Sequence, residues 1–341
     1  MIKEKIDSNL PKIFITGASG FVGSVLLDNL LLRGFAVTSL MRQLPADSLA
    51  GVEMLKGDLS DFSNYFYGDE HDRPVRLSLE GIDVVIHCAA RVHMLEDNSI
   101  DVKNKFRAIN CDATLAMALM AAQNGVQRFV FLSSIKVNGE ITQEGGAFSS
   151  DDTQIPTDPY GLSKYEAEQG LLAIAKKTGM EVVIIRPALV YGPGVKANFA
   201  SMIKWANKGI PLPFGAVHNK RTLVALDNLV SFILYCAEYK KTPQAANQVF
   251  LISDSESVST TELLQRVAKA FGKKALLLPV PVSFMRLIAE IFGRKGVADR
   301  LFNSLQVDNS KARELLNWKP VVTMDEQLKK VADAYMAKKN I

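Results

Sequence analysis

The sequence predicts an α/β fold: a doubly wound parallel sheet with helices on both faces, followed by a smaller domain. Three observations predict it. Short apolar runs alternate with segments of helical spacing through the first half of the chain. One run, IDVVIHCAA at 82–90, is almost continuously apolar, as a strand covered on both faces must be. A glycine-rich turn, GASGFVG at 17–23, joins the first run to the first helical segment.

The elements follow in order. KIFIT (12–16) reads as the first strand and FVGSVLLDNLLLRG (21–34) as the first helix, closed by Gly34. AVTSL (36–40) is the second strand, VEMLKGD (52–58) a weaker third and IDVVIHCAA the fourth. KFRAINCDATLAMALMAAQNG (105–125) has the length and spacing of a long helix ending at Gly125. RFVFLSS (128–134) is a strand, Tyr160 to Thr178 a helix and EVVIIRP (181–187) a strand. The crossovers between such strands are right-handed. The polar and aromatic segment FSNYFYGDEHDRPVRLS (62–78) separates two strands as a surface insertion. Beyond about residue 190, YGPGVK and KGIPLPFG break the alternation, and QVFLIS (248–253) is a weak strand. The reading is a first domain over 10–190 and a smaller one over 191–335, packed over the carboxyl edge of the sheet. The chain returns to the first domain near 222–240.

Composition bounds the function. With 341 residues, 48% hydrophobic and 22% charged, the chain matches a globular protein of about two domains and excludes disorder, collagen and coiled coil. A net charge of +4 is mild and points to no nucleic-acid partner. Cys88, Cys111 and Cys236 are odd in number and lack CxxC spacing, so they read as free thiols of a reducing compartment. His71, His87, His93 and His218 do not share ligand spacing with them, so no metal is expected. The N-terminus MIKEKIDSNLPK has no apolar signal core, and the apolar segment 275–293 is cut by Pro279, Pro281, Arg286 and Glu290. The expectation is a cytoplasmic protein without membrane insertion.

Gly17, Gly20 and Gly23 carry the first chemical signal. Glycines let the backbone turn tightly and approach a pyrophosphate, while the following helix offers free N–H groups and a positive dipole end. This is a Rossmann-type dinucleotide site with GxxGxxG spacing. An acid that would hold the ribose hydroxyls is expected about 20 residues on. Between Asp28 and Asp47 there is none, and Arg42 stands in that place. An arginine pairs with a 2′-phosphate, so the cofactor reading is NAD(P)(H), leaning to NADP(H) with NAD(H) left open. Asp58, just after the third strand, either accepts from an adenine amino group or caps its loop.

Tyr160 and Lys164 carry the second signal. They lie four apart at a helix start and so share a face. A phenol of pKa near 10 is a poor base at neutral pH, and a nearby ammonium favours its phenolate. Ser134, at a strand end, is placed to bond a substrate oxygen. The three suit an alcohol–ketone interconversion with hydride passing to nicotinamide. His87 and Trp318 read as core residues, and His93 as a substrate contact.

These features combine into a resemblance. TGASGFVG (16–23), GD (57–58), HCAA (87–90), Asn110, SSIKVNG (133–139), PYGLSK (159–164), RPALVYGPG (186–194) and SLQVDNSKARELLNWKP (304–320) span nearly the whole chain. With them the chain resembles the extended short-chain dehydrogenase/reductases, in the UDP-glucose 4-epimerase-like group that acts on nucleotide sugars. The resemblance implies that Gly17, Ser19, Gly20, Phe21, Val22 and Gly23 cradle the pyrophosphate. Asp58 and Leu59 then meet the adenine side, and Ala89, Ala90, Asn110 and Pro187 complete the cofactor wall. Lys164 holds the nicotinamide ribose and tunes Tyr160. Asn198 contacts the substrate phosphates, Phe214 stacks near uracil, and Arg221 and Arg300 pair with the diphosphate, which guanidinium forks match. A homodimer through the helices at 105–125 and 160–178 is also implied.

Two departures mark the chain. Asn138 stands where epimerases of this group usually carry Tyr, and Arg42 where they carry Asp. SSIKVNG, VYGPGVKANFASM and SLQVDNSKARELL look closer to the branch that forms UDP-N-acetylquinovosamine. The expected reaction is therefore 4-keto reduction of a UDP-4-keto-6-deoxy-N-acetylhexosamine in surface-polysaccharide synthesis. The alternatives are a UDP-glucose or UDP-N-acetylglucosamine 4-epimerase and, more remotely, a non-catalytic dinucleotide-sensing module.

Overall fold

Side-chain alternation along the central strands builds a two-faced core. In the computed structural model, which describes residues 7, 9–45, 51–59, 66–68, 74–92, 100–195 and 197–337, β1 is Ile13–Thr16. Ile13 and Ile15 point into one apolar cluster and Phe14 into another. The strand at Val84–His87 repeats the pattern, with Val84 and Ile86 on one side and Val85 on the other. Such strands need helices on both faces, and the chain supplies them.

The elements in chain order are α1 (Phe21–Leu32), β2 (Val37–Met41), β3 (Val52–Lys56), β4 (Phe66–Gly68), β5 (Pro74–Arg76) and β6 (Val84–His87). Next come α2 (Ile100–Arg107), α3 (Ala113–Gln123), β7 (Arg128–Leu132), α4 (Pro159–Thr178) and β8 (Glu181–Pro187). The remainder is β9 (Leu189–Tyr191), α5 (Ala197–Lys208), β10 (Arg221–Ala225), α6 (Leu226–Ala237), β11 (Gln248–Ile252), β12 (Ser257–Val258), α7 (Thr260–Ala270), α8 (Val282–Ile291), α9 (Lys295–Phe302), α10 (Ser310–Leu316) and α11 (Met324–Ala337).

The main sheet runs β11-β8-β7-β6-β1-β2-β3-β4-β5. Its seven strands from β11 to β3 are parallel, in the doubly wound Rossmann order. The order reverses between β1 and β6, which opens a crevice at their carboxyl ends. The 62–78 insertion contains β4 and β5, an antiparallel pair that extends the sheet beyond β3.

The expected helix at 105–125 begins earlier, at Ile100, and contains a π-helical turn over Ala108–Asp112 between α2 and α3. That turn carries Asn110. α4 has strong end signals: the Asp158 carboxylate accepts from Gly161 N at 3.0 Å, Pro159 opens the first turn, and Gly179 closes it at φ 79°.

A second, three-stranded sheet, β12-β10-β9, packs with α5, α7 and α11 around Tyr191, Phe199, Leu223, Leu264 and Val331. The chain also returns to the first sheet. α6 packs against α1, and β11 pairs in parallel with β8. The weak strand at 248–253 is thus the outermost parallel strand of the main sheet. Trp318 is buried with its ring edge-on to Phe232, centroids 5.1 Å apart, in the same core.

Arg128 ties this return in place. It is wholly buried at the start of β7. Its Nη2 lies 2.6 Å from Glu181 Oε2, and it donates to Cys236 O at 2.7 Å, Thr242 Oγ1 at 2.8 Å and Thr242 O at 2.9 Å. Truncating one member of such a pair costs about 3 kcal/mol or more. Arg128→Met is therefore expected to lower the melting midpoint by roughly 5 °C or more in thermal scanning. An unchanged midpoint would contradict this role.

Candidate active site

The crevice is floored by two backbone segments in near contact. Gly17 leaves β1 at φ +75°, and a Cβ placed there would lie 2.6 Å from Ala89 N. A Cβ on Gly23 would lie 2.1 Å from Gly17 O. Only glycine permits this approach of the first turn of α1 to the strand ends. α1 begins at Gly20 with no side-chain cap and no acid in its first turn, so its N–H groups and positive dipole end stay available to an anion. Ser19 and Gly20 are exposed there, while Phe21 and Val22 are half-buried. Arg42 is exposed one residue past β2, Asp58 is exposed two past β3, and Leu59 is buried beneath. Ala89 and Ala90 are half-buried just beyond β6, and Pro187 is buried at the end of β8. This glycine-lined cradle fits a dinucleotide.

Asn110 is wholly buried in the π-helical turn. Its amide accepts from Arg91 N at 2.8 Å and donates to Arg91 O and Ser163 Oγ, both at 3.0 Å. It braces the segment after β6 against α4. His87 is buried between Thr16 Oγ1 at 2.8 Å and Thr114 Oγ1 at 3.0 Å. Burial, then the Lys164 charge, pulls the imidazole down to about 3. It is a neutral core residue.

Ser134, Tyr160 and Lys164 meet at the carboxyl edge. Ser134 lies just past β7 and accepts from Lys136 N at 3.3 Å. Burial pushes the Tyr160 phenol up to about 12, opposed by the neighbouring Ser134 hydroxyl and assisted by Asp158. The expectation of a phenol lowered by Lys164 is therefore corrected for the cofactor-free protein. The reason is geometric: Lys164 Nζ donates to Leu132 O at 2.9 Å and sits 4.4 Å from the centre of the Phe131 ring. Burial pulls the ammonium down to about 8, against the opposing pull of Cys88 and Glu168.

Sequence reasoning missed what lies behind this group. Tyr160, Lys164 and Glu168 share one face of α4. Glu168 is wholly buried and accepts from Ser133 Oγ at 2.5 Å and from Arg186 Nη2 at 2.5 Å. Arg186 Nη1 donates to Asn138 Oδ1 at 3.0 Å, and Asn138 Nδ2 donates to Ser149 O at 2.7 Å and Asp152 Oδ2 at 3.1 Å. The available signal was the second four-residue step, 164 to 168, with a lone arginine ending the apolar run EVVIIRP.

The segment from α5 to α9 gathers three of the residues expected on the substrate side around α9. Phe214 lies 6.3 Å, centroid to centroid, from Phe302 of α9 and stacks on Trp205. Arg221 opens β10 and donates to Asn303 O at 3.3 Å, just past α9; burial lowers its guanidinium pKa. Arg300 is exposed on α9. Asn198 falls in the first turn of α5, but its side chain, like the whole of His93, lies outside the described residues.

A doubly wound sheet with a glycine cradle at its switch point and Ser134, Tyr160 and Lys164 on its carboxyl edge defines an extended short-chain dehydrogenase/reductase. The chain belongs to the NAD dependent epimerase/dehydratase family, whose model matches residues 13–252. It is 44% identical over 337 residues to the UDP-glucose 4-epimerase of Vibrio cholerae, covering 98% of each chain. Its fold is shared with UDP-N-acetylglucosamine 4-epimerase from Bacillus cereus, with a TM-score of 0.72 at 20% identity over 94% of this chain and 98% of that one. MoeE5 in complex with UDP-glucose and NAD gives a TM-score of 0.71 at 23% identity over 96% and 99%. The chain is an NAD-dependent enzyme of this family.

The Lys164 environment gives a pH prediction. Below about 8 the folded and unfolded chains are both charged there, and the fold bears the full cost of a buried ammonium. Between about 8 and the ordinary 10.5 the folded protein releases the proton while the unfolded chain keeps it, so stability rises with pH. In the cofactor-free protein, Lys164→Met is therefore expected to stabilise more at pH 7 than at pH 10, by thermal scanning at both. A pH-independent difference would contradict the buried ammonium.

Proposed function

We propose that this chain is a cytoplasmic UDP-sugar 4-epimerase of the UDP-glucose type. One arrangement carries the chemistry: the Tyr160 phenol beside Ser134, one helical turn from buried Lys164, at the edge of the glycine cradle. The 44% identity to the Vibrio cholerae UDP-glucose 4-epimerase supports the sugar. Bound NAD supplies the acceptor for the hydride that leaves C4. Gly17, Ser19, Gly20, Phe21, Val22 and Gly23 hold its pyrophosphate, Asp58 and Leu59 its adenine side, and Lys164 its nicotinamide ribose. Ala89, Ala90 and Pro187 line the remaining wall, which Asn110 braces.

The chain's own groups then move the proton. Ser134 bonds the C4 oxygen and aligns it with Tyr160. Tyr160 Oη takes the hydroxyl proton as the ketone forms and returns it when the C4–H bond re-forms on the other face. Lys164, one helical turn from Tyr160, would hold the nicotinamide ribose and favour the phenolate through its charge. Arg221, Arg300 and Asn198 hold the diphosphate, Phe214 the uracil, and His93 contacts the substrate. Asn138, one of the two departures that spoke against an epimerase, is buried and accepts from Arg186.

Arg42 favours a second reading. Exposed just beyond β2 with no acid beside it in sequence, it suits a 2′-phosphate and hence NADP(H)-dependent reduction of a UDP-4-keto-6-deoxy-N-acetylhexosamine. The same three residues would then give the proton instead of taking it. A homodimer through α3 and α4 belongs to either reading, and Leu119 stands exposed on α3.

The test mixes the enzyme with UDP-glucose and no added nicotinamide, following UDP-galactose, and separately with the ketosugar and NADPH or NADH, following absorbance. Epimerisation is expected, with Tyr160→Phe lowering kcat by about 10²–10⁴-fold. Cofactor consumption with the ketosugar and no epimerisation would overturn the epimerase in favour of the reductase.

A further inference from the structure

α8 is inside out. A surface helix ordinarily turns its apolar stripe to the core. Here Phe284, Leu287, Ile288 and Ile291, spaced i, i+3, i+4, i+7, are all exposed, at 55%, 55%, 40% and 72%. The opposite face holds the helix to the protein: Met285 is buried, and Arg286 donates to Asp299 Oδ1 at 3.0 Å and Asn303 Oδ1 at 2.6 Å and packs on the Phe302 ring. The orientation is therefore fixed by side-chain contacts.

The apolar surface continues on both sides. Before the helix, Leu276 and Leu278 point out of a short extended segment whose Leu277 pairs with Leu212. After it come exposed Phe292 and Val297. So many exposed apolar side chains on and beside one helix mark an interaction site.

Charge identifies the partner. Residues 273–300 contain six Lys and Arg and two Asp and Glu, a surplus of four, which equals the net charge of the whole chain. One of the two acids, Asp299, is tied to Arg286. Lys273 and Lys274 stand exposed before the apolar stretch, and Arg294 and Lys295 just after α8. Phenylalanines and aliphatics on an outward stripe with basic residues at both ends match a helix lying in the plane of an anionic lipid surface. Among the described residues no helix is long and apolar enough to cross a membrane, and α8, with ten residues, is far too short. It lies on a bilayer, not through it.

We propose that α8 and its flanks are a peripheral docking surface for an anionic membrane. The proposal is independent of which sugar the enzyme takes, because Phe284, Ile291, Lys274 and Lys295 lie outside the catalytic group and the cofactor cradle.

The test is flotation of the full-length protein with vesicles of phosphatidylcholine alone and of phosphatidylcholine with one-third phosphatidylglycerol, at low and high salt. The expected result is recovery with the anionic vesicles only, lost at high salt. Phe284→Ser with Ile291→Ser is expected to weaken binding at least tenfold, at unchanged circular dichroism and turnover. Lys274→Ala and Lys295→Ala are each expected to weaken it about fivefold. No flotation, equal binding to neutral vesicles, or binding indifferent to these substitutions would overturn the proposal. So would a dimer, seen by sedimentation, that the Phe284/Ile291 variant dissolves while vesicles bind nothing, since the face would then serve a second copy of this chain.

Discussion

The close approach of Gly17 to Ala89 is the constraint on which the rest depends. Two parallel strands, β1 and β6, lie side by side where the sheet order reverses, and their carboxyl ends run into turns that touch. Any side chain at Gly17 would collide with backbone, and any at Gly23 with Gly17 itself. The same absence of side chains leaves the α1 N-terminus open to a pyrophosphate. Fold and cofactor site are thus one requirement: the packing that closes the sheet also shapes the cradle.

A buried polar spine supports the chemistry. From Tyr160 through Lys164 to Glu168, one face of α4 turns inward, and Glu168 passes the connection to Arg186, Ser133 and Asn138. Buried charges are costly unless paired and hydrogen-bonded. Glu168 and Arg186 meet that condition with three contacts between them, at 2.5 to 3.1 Å. Lys164 does not: its nearest partner is a backbone carbonyl, and its ammonium is correspondingly easy to deprotonate. The high Tyr160 phenol pKa has its first cause in burial.

Much of this was legible in the sequence because it is local. The parallel strands, α1, α4 and the glycine turn rest on periodicity and end signals within about 20 residues. The nearness of Ser134 and Tyr160 was legible because a strand end and a helix start bring them to one edge. What was not legible is long-range. QVFLIS gives no hint that it pairs with β8, since its partner is about 65 residues away and its own run is short. The π-helical turn at Asn110 reads as ordinary helix, because apolar spacing is insensitive to one extra residue. Asn138 read only as a departure from the epimerase pattern, and its bond to Arg186, 48 residues on, is visible only in the structure. α8 shows amphipathic spacing in sequence, but which face it turns outward is decided by Arg286, Asp299 and Asn303.

The central claim is that Ser134, Tyr160 and Lys164 serve a hydride that leaves C4 and returns to it within one active site. The most direct measurement uses UDP-glucose deuterated at C4, with the product examined by NMR. The account predicts UDP-galactose that retains deuterium at C4 without added nicotinamide. Deuterium lost to water, or found in added nicotinamide, would contradict it.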